Sequence, residues 1–122
     1  MVYHKLVRDK IPQIIESSGK KCTTEVLTED AYLQKLDEKL SEELAEYQES
    51  KSLEELADLL EVMAAVVKAR GCTWEELEHI RTRKREKRGG FKSGSCWWNQ
   101  NKSAAGHLPG CAAFSGIMYI WI

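Results

Sequence analysis

Two stretches of helical periodicity, joined by the short break Ser50-Lys51-Ser52, constrain this chain more than anything else in it. From about Glu29 to Glu49 the apolar positions Tyr32 or Leu33, Leu36, Leu40, Leu44 and Tyr47 recur by threes and fours, the mark of one buried face on an α-helix. Thr28 stands where its N-cap should be. From about Leu53 to Arg70 a second helix follows and stops at Gly71. Its later half, Val62 to Val67, is apolar almost all round, which predicts burial in a core or at a subunit interface. Thr73-Trp74-Glu75-Glu76 reads as a capping box for a third long helix that carries Leu77 and Ile80 and ends near Gly89-Gly90. Trp74 is expected to anchor packing there. A shorter helix precedes these, with Pro12 in its first turn, Gly19 as its stop, and Ile11, Ile14 and Ile15 on one face. Residues 22–27 read as an extended connector. Short loops between long helices make antiparallel neighbours, so the expected fold is all-α, an antiparallel helical bundle. Three helices of this size give a thin core, and dimerisation is expected to complete it.

A chain of 122 residues is one domain's worth. The helical domain is expected over residues 1–92. From Ser93 to Ile122 the character changes: Lys102 is the single charged side chain, three of the four tryptophans are here, and Gly116 to Ile122 is an uncharged apolar run. This segment is expected to be an irregular tail, disordered or not native to the domain, and its end is an aggregation hazard if exposed. The four cysteines form no C-x-x-C pair, which disfavours zinc. The charged start MVYHKLVRDK is unlike a signal peptide, and no run of about 18 apolar residues is present to span a membrane. A cytoplasmic protein with reduced thiols is the expectation.

The acidic residues carry the chemistry. Net charge is −1, but it is unevenly spread. From Glu29 to Glu61 the only bases are Lys35, Lys39 and Lys51, whereas from Arg81 to Lys92 the only acid is Glu86. Glu42-Glu43-Leu44-Ala45-Glu46 lies on the first long helix and Glu55-Leu56-Ala57-Asp58 on the second, with Glu61 one turn further on. Residues three or four apart share a helix face, so Glu43 with Glu46, Glu42 with Glu46, and Glu55 with Asp58 form paired carboxylate surfaces. On antiparallel neighbours four carboxylates can converge, and oxygen ligands in that number suit Mg2+ or Mn2+. The competing reading is structural: Ser52-Leu53-Glu54-Glu55 is itself a capping box, which would make Glu55 a cap. On the residues alone the cap reading is the favoured one, although the helix could also begin before Ser52. Glu61 reads equally as a fifth ligand or a surface residue. His4, His79 and His107 are isolated and read as ordinary polar residues.

The pattern EELAE, eight residues, then ELAD resembles the E-x-x-E…E-x-x-D signature of the MazG-like all-α nucleoside triphosphate pyrophosphohydrolases. Lys5-Leu6-Val7-Arg8-Asp9-Lys10-Ile11-Pro12 and Lys84-Arg85-Glu86-Lys87-Arg88-Gly89-Gly90-Phe91 look like the two ends of a phosphoribosyl-ATP pyrophosphohydrolase-like branch of that family. The resemblance covers about Val2 to Phe91. It implies hydrolysis of a nucleoside triphosphate between the α and β phosphates, Mg2+ held by helix carboxylates, and dimers or higher oligomers. The implied metal ligands are Glu43, Glu46, Glu55 and Asp58, with Glu61 a candidate fifth.

Glu42, beside that ligand pair, is the candidate to orient or deprotonate the attacking water. Lys5, Arg8, Lys10, Lys84, Arg85, Lys87 and Arg88 are candidates to hold the outgoing pyrophosphate. Family members usually continue past Gly-Gly-Phe with charged sequence, and this chain does not. Hydrolysis of phosphoribosyl-ATP is an alternative within the same class. A non-catalytic helical module whose acidic surface docks a basic partner is an alternative of another class. Nucleic-acid binding by the basic end of the third long helix is disfavoured, because Glu75, Glu76 and Glu78 share that helix and the whole chain is not basic.

Overall fold

A computed structural model describes residues 5–98. Among them are four helices and no strand: α1 (Ile11–Ser17), α2 (Glu29–Ser50), α3 (Leu53–Ala69) and α4 (Trp74–Arg88). The fold is all-α, as the periodicity predicts. The chain separates into a unit of residues 1–83 and a second unit from Lys84 onward. In the second unit the described residues are the end of α4 and a segment without regular structure over 89–98. The tail expected from Ser93 onward lies outside the described residues from position 99. Cys22 and Cys72 are free thiols. Cys96 is disulfide-bonded, which departs from the expectation of reduced thiols throughout.

Hydroxyl caps set the helix starts. Thr28 Oγ1 accepts from the Ala31 N–H at 3.3 Å, Ser52 Oγ from Glu55 at 3.3 Å, and Thr73 Oγ1 from Glu76 at 3.1 Å, each satisfying a donor the helix cannot use. Pro12 occupies the first turn of α1, where its missing N–H costs nothing. The α2–α3 connection is only Lys51 and Ser52, with Lys51 in the left-handed region at φ 59. Its N–H donates to the Tyr47 carbonyl, closing α2. Ser52 is therefore the N-cap of α3, and the helix does not begin earlier.

This tight connection folds α2 and α3 into a hairpin, the principal packing of the unit. Arg70, just past the end of α3, reaches Asp37 in the first half of α2 at 3.4 Å, as an antiparallel pair requires. The core is small. Among the described residues Leu36 is the buried apolar side chain, 2% exposed. We expect Leu36→Ala to cost about 2–3 kcal/mol, the lower part of the range for a core leucine, because so few neighbours define the cavity it would leave. Urea unfolding would measure it. The apolar half of α3 is less buried than its composition suggests: Val62 and residues 64–67 are half-buried and Met63 is exposed. Trp74, expected to anchor packing, is 37% exposed.

Candidate metal centre

The α2 stripe differs in phase from the one read in the sequence. Leu44 points outward and is 44% exposed, while Glu43 is 7% exposed. The inward positions are thus Leu36, Leu40, Glu43 and Tyr47, spaced by four, three and four. A carboxylate occupies a place on the packed face where a leucine would stabilise the hairpin more. Burying such a group is costly unless something compensates for it. Lys39 Nζ approaches Glu43 Oε1 at 3.5 Å, whereas Glu43 Oε2 is buried without a hydrogen-bond partner.

Glu43 meets two acids of the facing helix. One carboxylate oxygen from each of Glu43, Glu55 and Asp58 lies within 4.8 Å of the other two. Oxygens on opposite sides of a Mg2+ ion are about 4.2 Å apart, from metal–oxygen distances of about 2.1 Å. Adjacent ligand oxygens are closer, about 3.0 Å, so the three side chains would draw together around an ion. These donors are hard anionic oxygens, the type that Mg2+, Mn2+ and Ca2+ prefer. Glu46 and Glu61 lie outside this group of three. Glu46 is exposed, yet close enough to Glu43 to act on it: burial pushes the Glu43 carboxyl above its usual range, Glu46 pushes it further, and Lys39 opposes both.

Glu55 reconciles two readings that the sequence sets against each other. Its backbone N–H donates to Ser52 Oγ, so it does take part in the cap. In a capping box its carboxylate would also reach back to the Ser52 N–H. That N–H instead donates to Ser50 Oγ at 3.2 Å, leaving the Glu55 carboxylate for the acidic group.

Glu42 faces a different environment. Burial raises its carboxyl, but hydrogen bonding to Lys5 and the charge of Lys39 outweigh this and hold it below the usual range. Lys5 Nζ is 3.2 Å and Lys39 Nζ 3.4 Å from its two oxygens. The N-terminal segment also places Arg8 Nη2 at 2.7 Å from Asp58 Oδ1. Two candidate phosphate-binding residues, Lys5 and Arg8, therefore stand beside the acidic face. Lys10 lies at the start of α1. Lys84, Arg85, Lys87 and Arg88 lie on α4 beyond residue 83, in the second unit. A separate open groove of about 600 Å³ is lined by Asp9, Tyr32, Glu61, Ala64 and Lys68 among others, and none of Glu43, Glu55 and Asp58 lines it. Tyr32 and Lys68 carry no site signal in the sequence; both share the groove with Glu61.

No protein-family model matches the chain, and no solved structure matches it. A curated protein of Mycolicibacterium smegmatis (strain ATCC 700084 / mc(2)155), described as an uncharacterized protein, is 48% identical over 42 residues. The match covers 34% of this chain and 43% of that protein, so the chain spans less than half the length of that relative. Among the described residues, no helix is long and apolar enough to cross a membrane.

Proposed function

We propose that this chain is a Mg2+-dependent nucleoside triphosphate pyrophosphohydrolase of the MazG-like kind, releasing monophosphate and pyrophosphate in the upkeep of the nucleotide pool. The observation that carries this reading is the buried Glu43 carboxylate, with one unpartnered oxygen, in a group with Glu55 and Asp58. A helix surface that merely docked a basic partner would have no reason to bury one of its acids on the packed face.

Glu43, Glu55 and Asp58 would hold the ion, with Glu46 joining from the next turn. Bound there, Mg2+ would neutralise phosphate oxygens and make a water more acidic. The remaining work falls to the chain itself. Glu42, kept charged by Lys5 and Lys39, suits orienting a water by hydrogen bonding more than taking its proton, because a carboxylate of lowered pKa is a weak base. Lys5 and Arg8 bring positive charge to the phosphate side.

The same reading includes a homodimer. Leu53, Leu56, Leu60 and Met63 lie on one exposed stripe of α3, spaced by three, four and three, with Leu53 80% exposed. Together with a core this small, the stripe favours a second copy as its cover. Sedimentation at micromolar concentration should give a dimer mass; a monomer would remove this part of the proposal.

The deciding assay is pyrophosphate release by the full chain from a panel of standard and modified nucleoside triphosphates, with phosphoribosyl-ATP included, in Mg2+ and in chelator. Metal-dependent release supports the reading and ranks the substrates. No release from any of them by a folded chain sinks it and moves the docking-module reading ahead.

A further inference from the structure

The segment before α1 sets two cations against the acidic face, and they are not equivalent. Lys5 pairs with Glu42, which lies outside the three-carboxylate group. Arg8 pairs with Asp58, which belongs to it. At 2.7 Å the Arg8–Asp58 contact is a short, charge-assisted hydrogen bond. A divalent ion bound by Asp58 would draw on the same carboxylate, and it would repel a guanidinium held against it. Both partners are more than two-fifths exposed, so water can take up the released guanidinium at little cost.

Resting on the metal reading above, we propose that Arg8 is a built-in competitor for the metal centre, displaced from Asp58 when a divalent ion loads. Arg8 balances the charge of Asp58 until metal arrives and is then free to turn its planar fork toward a phosphate. One residue thus links loading of the ion to readiness for the anionic substrate.

The test is Mn2+ binding by the full chain, read as loss of the free-ion electron paramagnetic resonance signal, for wild type, Arg8→Gln and Lys5→Gln. Each variant removes one positive charge from the same segment, but only Arg8 touches a member of the group. Arg8→Gln is expected to tighten Mn2+ about two- to five-fold, the worth of an exposed ion pair, and Lys5→Gln clearly less. Equal tightening by both would mean a general electrostatic field and overturn the competition, as would no change in Arg8→Gln. A second measurement follows the Arg8 Nε–Hε resonance of the 15N-labelled chain during Mg2+ titration. It should move in step with binding, and a resonance unmoved at saturation overturns the proposal. If neither wild type nor either variant binds Mn2+, the metal reading fails and takes this one with it. Binding that leaves Arg8 in place removes the competition alone.

Discussion

Asp58→Asn should reduce metal-dependent pyrophosphate release by about 100-fold or more while leaving the hairpin folded. The size follows from the several kcal/mol that a Lewis-acidic ion supplies to phosphoryl chemistry, at about 1.4 kcal/mol for each factor of ten. Retention of the fold follows from the position of the residue. Asp58 is partly exposed, and its ion pair with Arg8 is one between solvated groups, of a kind worth at most about 1 kcal/mol. An amide keeps the shape and loses the charge, so lost turnover with an unchanged melting curve separates chemistry from folding. Turnover within about three-fold of wild type would show that Asp58 is not a ligand, and the centre would have to be redrawn around the other carboxylates.

Glu43→Gln has the opposite signature. In chelator the variant should be more stable than wild type by about 1 kcal/mol, because it removes a buried charge with an unsatisfied oxygen. For a domain of this size that is a rise of roughly 4 to 8 °C in Tm. With Mg2+ added, wild type should gain stability and the variant should not. The advantage of the variant in chelator also depends on pH, in a direction set by the raised carboxyl of Glu43. Burial, then Glu46, favours its protonated form in the folded chain, against Lys39; Glu55 and Asp58 face it from α3, with Arg8 paired to Asp58. The folded chain therefore holds this proton more tightly than the unfolded one. Below the ordinary glutamate value of 4.5 both states are protonated and the residue contributes no difference. As pH rises from there through the raised range, wild type loses stability, so the advantage of glutamine should grow and then level off. Thermal melts from pH 4 to 8, in chelator, would show it. A variant less stable than wild type at neutral pH would mean that the Lys39 contact outweighs the burial cost. The expected exchange of stability for binding is common at functional sites.

What was legible in the sequence was local. Thr28, Ser52 and Thr73 announce helix starts because a hydroxyl at that place meets an otherwise unpaired N–H. Gly71 and Gly89 mark helix ends because both adopt positive φ, at 81. The pairing of EELAE with ELAD across a short connection was equally readable, and the structure brings Glu43, Glu55 and Asp58 together.

The rest depended on distance or on phase. Nothing local joins Lys5 to Glu42, or Arg8 to Asp58 across 50 positions. The phase of α2 is ambiguous in the sequence because two apolar templates fit nearly as well. Ending the stripe at Leu44 satisfies hydrophobicity, and the facing helix instead takes Glu43 inward. The clue was present: Leu36, Leu40 and Tyr47 already define a stripe whose missing member is position 43. A glutamate in that gap was more informative than the leucine beside it. The cap and ligand roles of Glu55 looked exclusive only because the sequence does not show that Ser50 serves the Ser52 N–H.

The two-residue connection between α2 and α3 has a consequence for how this centre comes into being. Contact order within the hairpin is low, since each carboxylate of the group lies a short run of chain from the others. Segments built from such near contacts form on the microsecond-to-millisecond scale. The acidic group should therefore assemble as soon as the hairpin closes, ahead of any association between chains. An ion captured at that moment would bind the closed hairpin in preference to the open chain and draw folding forward by mass action.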